Sequence, residues 1–170
     1  MKTARIASVS AALVTACGSL PNSQPLAEAR LEARSGSSVA GTVTFTPAGD
    51  KVRVEARVNG LTPGAHGFHV HEVGDCSAAD GASAKGHFNP AGKMHGHAGG
   101  EHHAGDMPNL EADASGNASL VVEVPQMAIV EGPAGIVGRS VVVHADPDDY
   151  KSQPAGNSGK RIACGVIRLR

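Results

Sequence analysis

The feature that most restricts how this chain can fold is the stretch from Glu72 to about Asn109, dense in Gly, Ala and His and lacking any regular apolar period. A connection that long is more than a compact domain supports without help, so something other than a hydrophobic core must order it. On either side the pattern is one of short strands. Lys51-Val52-Arg53-Val54-Glu55-Ala56-Arg57-Val58 alternates almost perfectly and reads as a half-buried antiparallel strand with its valines inward. Val39 to Phe45 reads as the strand before it, with Pro47-Ala48-Gly49-Asp50 as the turn between. Gly67 to His71, Ala118 to Val124, Ser140 to His144 and Gly165 to Leu169 are further strands. With 22 Gly, 10 Pro and no sustained helical period, the expectation is an all-β sandwich or barrel.

At 170 residues the chain is long enough for one domain with a proper core. A net charge of -1 argues against nucleic acid as a partner. With 2% aromatic residues and no Trp, platforms for stacking bases are scarce and the core must be aliphatic.

Lys2 and Arg5 precede an apolar run from Ile6 to Ala16, the charged and apolar parts of a secretory signal, too short for a membrane span. Val14-Thr15-Ala16-Cys17 resembles a bacterial lipobox, in which the Cys is lipidated and becomes the first mature residue; the alternative is an ordinary signal with a chance Cys. The expected division is residues 1–16 signal peptide, 17–37 a lipid-anchored tether and 38–170 the folded domain. Part of Leu26 to Arg34 is expected to be transiently helical. This places the protein in a bacterial cell envelope, exported and held to a membrane through Cys17, facing the periplasm or the exterior. Of three Cys, assigning Cys17 to lipid leaves Cys76 and Cys164 as a possible pair, with two buried thiols as the alternative.

In a strand, His69 and His71 at i and i+2 project to one side, with Val70 turned to the core. His144 ends the run Val141-Val142-Val143 and brings a third imidazole from far along the chain. The long loop adds His87, His95 and His103 at intervals of eight, then Asp106. Imidazole suits copper and zinc, and three His with one Asp make a tetrahedral zinc shell. A bound ion would also order the loop.

Four segments complete the pattern: Leu61-Thr62-Pro63-Gly64-Ala65-His66-Gly67-Phe68-His69-Val70-His71-Glu72, Gly86-His87-Phe88-Asn89-Pro90, His103-Ala104-Gly105-Asp106 and Arg161-Ile162-Ala163-Cys164-Gly165-Val166-Ile167. With these the chain, from about Val39 to Leu169, resembles the copper/zinc superoxide dismutases. The resemblance implies a Greek-key β-sandwich or flattened barrel with long metal-ordered loops. It implies copper held by His69, His71, His87 and His144, and zinc by His87, His95, His103 and Asp106, with His87 as the bridge. Asp148 stands where the family joins His69 to His95 through an outer carboxylate. Cys76 and Cys164 match the family's disulfide, and Arg161 its active-site arginine, which docks the superoxide anion.

The implied activity converts two superoxide anions and two protons to dioxygen and hydrogen peroxide. Catalysis falls to copper, with Arg161 and the proton-carrying His87, while zinc is structural. The competing reading is a copper and zinc buffering or delivery protein, which would need neither Arg161 nor a complete copper set. Lys151 and Lys160 read as solvated charges near Arg161, and His66, His97 and His102, which match no ligand position, as exposed loop residues. No interface stripe is visible, so a monomer and a possible homodimer are both open.

Overall fold

The computed structural model describes residues 26–97 and 99–170. The expected signal peptide, Cys17 and the first part of the tether lie outside the described residues. Within them the strands are β1 (Ala27–Ala33), β2 (Ala40–Ala48), β3 (Lys51–Asn59), β4 (Gly64–His66), β5 (Phe68–His71), β6 (Leu110–Ala112), β7 (Ala118–Val124), β8 (Ser140–His144) and β9 (Arg161–Leu169). One 3-10 turn, Ala82–Ala84, is the helical element among the described residues.

Alternation in the sequence becomes inside and outside in the sheet. In β3, Val52, Val54, Ala56 and Val58 are buried while Lys51, Arg53 and Arg57 face water. The strands pair antiparallel in the order β4-β6-β7-β3-β2-β1-β9-β8-β5. The two edge strands of that order, β4 and β5, are separated in sequence by Gly67 alone, so the sheet curls until its edges meet in one chain segment. The result is a nearly closed barrel, as expected, with β9 returning to lie beside the β1-β2-β3 meander. Its core is aliphatic, built around Val43, Val54, Val70, Val141 and Ile167, with Phe45, Phe68 and Phe88 buried in it.

The expected tether needs correction. Residues 27–33 form neither a tether nor a helix but β1, which pairs with β2 on one side and β9 on the other. Ala27, Ala29 and Leu31 face the core, and Glu28, Arg30 and Glu32 alternate with them on the outer face. Isolated, Ala-Glu-Ala-Arg-Leu-Glu-Ala favours helix. Backbone partners on both edges, with a dry face for its small apolar residues, override that preference. The chain stays attached beyond it, because Arg34 N–H and the Ser37 hydroxyl both donate to Ile162 O, at 2.9 and 2.6 Å. The folded domain therefore begins before residue 38.

Smaller differences have similar causes. β2 runs to Ala48, tightening the turn around Gly49 (φ 65°), and β9 starts at Arg161 rather than Gly165. The three-residue strands β4 and β6 are too short to show a period of their own.

Candidate metal centre

Every residue of β5 is buried, but on two different faces. Phe68 and Val70 enter the barrel core, which turns His69 and His71 outward, under the long loop. β8 lies beside β5, with His69 opposite Val142 and His71 opposite Ser140. A register shift between Val143 and His144 falls where the strand's last side chain turns to the site.

The loop is held by more than its histidines. Phe88, Ala104 and Met107 sit in the barrel core. Phe88 N–H donates to Val70 O, Val70 N–H to Gly105 O and Gly105 N–H to Phe88 O, each at 2.9 Å. Gly105 is required here, because a Cβ would run into Val70 O and lie 3.1 Å from Phe88 N. Core contacts and backbone pairing thus share the ordering that the sequence reading gave to a metal.

The seven expected ligands come together in two overlapping groups. His69, His71, His87 and His144 form one, and His87, His95, His103 and Asp106 the other, with the donor atoms in each within 4.8 Å of one another. His87 belongs to both. Its Nδ1 lies 2.8 Å from Asp106 Oδ1, while its Nε2 is buried without a hydrogen-bond partner.

Hydrogen bonds on the outer side of the rings set which nitrogen faces inward. His69 Nε2 donates to Asp148 Oδ2 at 2.8 Å and His95 Nε2 to Asp148 Oδ1 at 2.9 Å. His71 Nδ1 donates to Lys85 O at 2.9 Å and His144 Nδ1 approaches Gly159 O at 3.4 Å. These partners leave His69 Nδ1, His95 Nδ1, His71 Nε2 and His144 Nε2 pointing inward, the last two 3.3 Å apart. Buried and without a hydrogen-bond partner are His69 Nδ1, His87 Nε2, His95 Nδ1 and His103 Nδ1. The last two lie 3.0 and 3.3 Å from Asp106 oxygens, close enough for Coulomb attraction but not aligned for a bond. Each unsatisfied buried polar atom costs about 1–3 kcal/mol. Four converging on one place fit metal ligation and not a packed core.

The electrostatics prepare the same chemistry. Burial pushes His69 and His71 well below the ordinary imidazole range and His144 down to about 4. Burial alone would raise Asp106, but the hydrogen bond from His87 and the nearby imidazoles hold it at about 2. Neutral imidazoles and an ionised carboxylate are the forms that bind metal.

Arg161 opens β9 beside this site. Its Nη1 donates to Gly81 O at 2.7 Å and its Nη2 to Lys85 O at 2.6 Å, the carbonyl that also receives His71 Nδ1–H. The guanidinium is half-buried, and its charge is among the causes that depress His144. Cys76 and Cys164 form a disulfide, tying the start of the loop to β9 three residues beyond Arg161.

Two of the three unassigned histidines differ from expectation. His66 is buried, with Nδ1 2.9 Å from His144 O and Nε2 2.8 Å from Thr62 O. His102 is buried too, with Nδ1 2.7 Å from His103 O and Nε2 3.1 Å from Gln126 Nε2. His97 is exposed and packs edge-on against Tyr150, and Lys151 and Lys160 are exposed as expected. The sequence reading missed Lys85, whose contribution is a backbone carbonyl. It also missed Asn109, whose amide side chain pairs with both backbone groups of Asp148 at 2.9 and 3.1 Å.

The sequence model of the family described as copper/zinc superoxide dismutase (SODC) matches residues 39–167. Two proteins of Aquifex aeolicus (strain VF5) are similar. Superoxide dismutase [Cu-Zn] 2 is 46% identical over 136 residues, covering 76% of this chain and 80% of the relative. Superoxide dismutase [Cu-Zn] 1 is 46% identical over 129 residues, covering 72% and 75%. Among solved structures, that of the clock protein EA4 superposes with a TM-score of 0.77 at 39% identity, over 86% of this chain and 96% of that one.

Proposed function

The chain belongs to the copper/zinc superoxide dismutase family, and from that premise we propose how its residues divide the reaction. The protein is a superoxide dismutase that uses copper and zinc. In our reading His69, His71, His87 and His144 hold copper, and His87, His95, His103 and Asp106 hold zinc. The observation that carries this assignment is His87, shared by two buried donor sets and presenting one nitrogen to each.

Copper, when bound, supplies the one-electron redox chemistry that takes an electron from one superoxide and returns it to the next. The remaining work belongs to the chain. His87 carries a proton at Nε2 and gives it up as peroxide forms, while its Nδ1 stays fixed on the Asp106 side. Asp148 holds the rings of His69 and His95 in one orientation through its two oxygens. Arg161, its guanidinium held by two carbonyls, attracts and orients the anion by charge-assisted hydrogen bonding. Two superoxide anions and two protons give one dioxygen and one hydrogen peroxide.

Metal analysis paired with a superoxide assay on the reconstituted protein tests this reading. The expected result is about one copper and one zinc per chain and rapid removal of superoxide. A fully metallated sample no faster than buffer would reject catalysis and leave metal buffering in its place.

We also read the protein as exported to a bacterial envelope and anchored through Cys17, supported by the apolar run and the Val14-Thr15-Ala16-Cys17 motif. Mass spectrometry of the mature N-terminus should find acyl mass on Cys17; an unmodified terminus elsewhere rejects the anchor.

A further inference from the structure

The geometry points to Gln153 as a positioning residue that presets the zinc-side ligand His95. The side-chain amide of Gln153 pairs with both backbone groups of His95. Its Oε1 accepts the His95 N–H at 2.9 Å and its Nε2 donates to His95 O at 2.9 Å, across 58 residues of sequence. This is the double bond pattern that a neighbouring strand would supply, delivered by one side chain. His95 needs such a partner because it lies in a stretch without regular secondary structure, where its backbone has no sheet to pair with.

The same segment grips His95 a third time, through Asp148 Oδ1 on Nε2 at 2.9 Å. Backbone and imidazole are therefore fixed separately, and together they aim Nδ1 at the Asp106 carboxylate, 3.0 Å away. The gripping segment is itself braced. Asp148 Oδ1 accepts Tyr150 N–H at 2.7 Å, and Asp149 Oδ1 accepts the N–H groups of Lys151 and Ser152 at 2.8 Å. A ligand whose main chain and ring are both held before the ion arrives loses less freedom on binding, which is how outer residues raise metal affinity. Only an amide of this length does the task at position 153. A carboxylate there accepts the His95 N–H but cannot donate to His95 O, and alanine does neither.

The inference rests on the assignment of His95 to zinc, and the test separates the two. Zinc affinity is measured by chelator competition on the full chain and on His95→Ala, Gln153→Ala and Gln153→Glu, together with hydrogen exchange at the residue 95 amide of the metal-free proteins. Gln153→Ala should bind zinc roughly 10- to 100-fold more weakly, the usual loss when an outer partner of a ligand is removed. Its His95 amide should exchange at least about tenfold faster, as expected when a protecting bond is lost. The absorption of bound copper at saturating zinc should be unchanged. Gln153→Glu should keep the slow exchange at His95, since the acceptor for that N–H remains. If His95→Ala binds zinc as the parent does, the ligand assignment fails. If His95→Ala loses zinc while Gln153→Ala stays within twofold of the parent, or exchanges no faster, the role given to Gln153 is overturned.

Discussion

At the scale of single residues, Gly156 leaves no room for substitution. Gly156 has φ 64°, and a Cβ on it would overlap Asp148 Oδ1 and fall 2.7 Å from His95 Nε2. Gly156→Ala should therefore break the carboxylate bridge and lower metal affinity by roughly 10- to 100-fold, measured by chelator competition. Arg161→Ala should act differently, because the guanidinium donates its hydrogen bonds to the carbonyls of Gly81 and Lys85. Metal content should stay unchanged while superoxide removal falls about tenfold or more, the scale on which a charged docking group acts; a loss of copper instead would mean that Arg161 is structural. Acid gives a third prediction, for the metal-free protein. His144 titrates near 4 when folded against an ordinary 6.5, so between those values the unfolded chain holds more protons. The stability from keeping it neutral is complete above about 6.5 and is lost as pH falls towards 4, with Asp106 extending the loss from 3.8 towards 2. Chemical denaturation of the metal-free protein across pH 3 to 8 should show the slope. A flat profile would contradict the burial of these imidazoles.

At the scale of elements, β1 is the clearest test, because it lies in the middle of the strand order and not at an edge. A chain starting at Ser38 removes it and exposes the pairing edges of β2 and β9 together. Such a truncation should fail to fold or should aggregate, whereas one starting at Leu26 should unfold cooperatively as the parent does, by circular dichroism. The case also shows what a sequence reveals. β3 was legible because strong apolar residues alternate with charges, and the donor cluster because seven donor residues fall at strand and loop spacings around one motif set. β1 was not, because small alanines carry a weak apolar signal in a segment of helix formers. Lys85 and Gln153 were hidden for another reason. One acts through a carbonyl that any residue would carry, and the other pairs with a backbone 58 residues away, so neither leaves a mark at the ligand's own position. Phe88 and Met107 belong to this group as well, since nothing local announces that a loop side chain will plug a barrel.

For the whole molecule, the disulfide closes a separation of 88 residues between Cys76 and Cys164. In the chain-entropy account, a loop of that size is stabilised by about 4 to 5 kcal/mol. Its reduction should lower the unfolding midpoint and loosen Arg161, which sits three residues from Cys164. Thermal unfolding with and without reductant, followed by superoxide assay, measures both. The early start of the fold matters at a larger scale still. With the proposed lipid on Cys17, only the eight residues 18–25 stand between the bilayer and the first described residue. Even fully extended they reach about 29 Å. An enzyme on so short a leash would not sweep the volume of its compartment. It would work in a thin shell against the lipid if Cys17 carries the proposed anchor, which the N-terminal mass measurement decides.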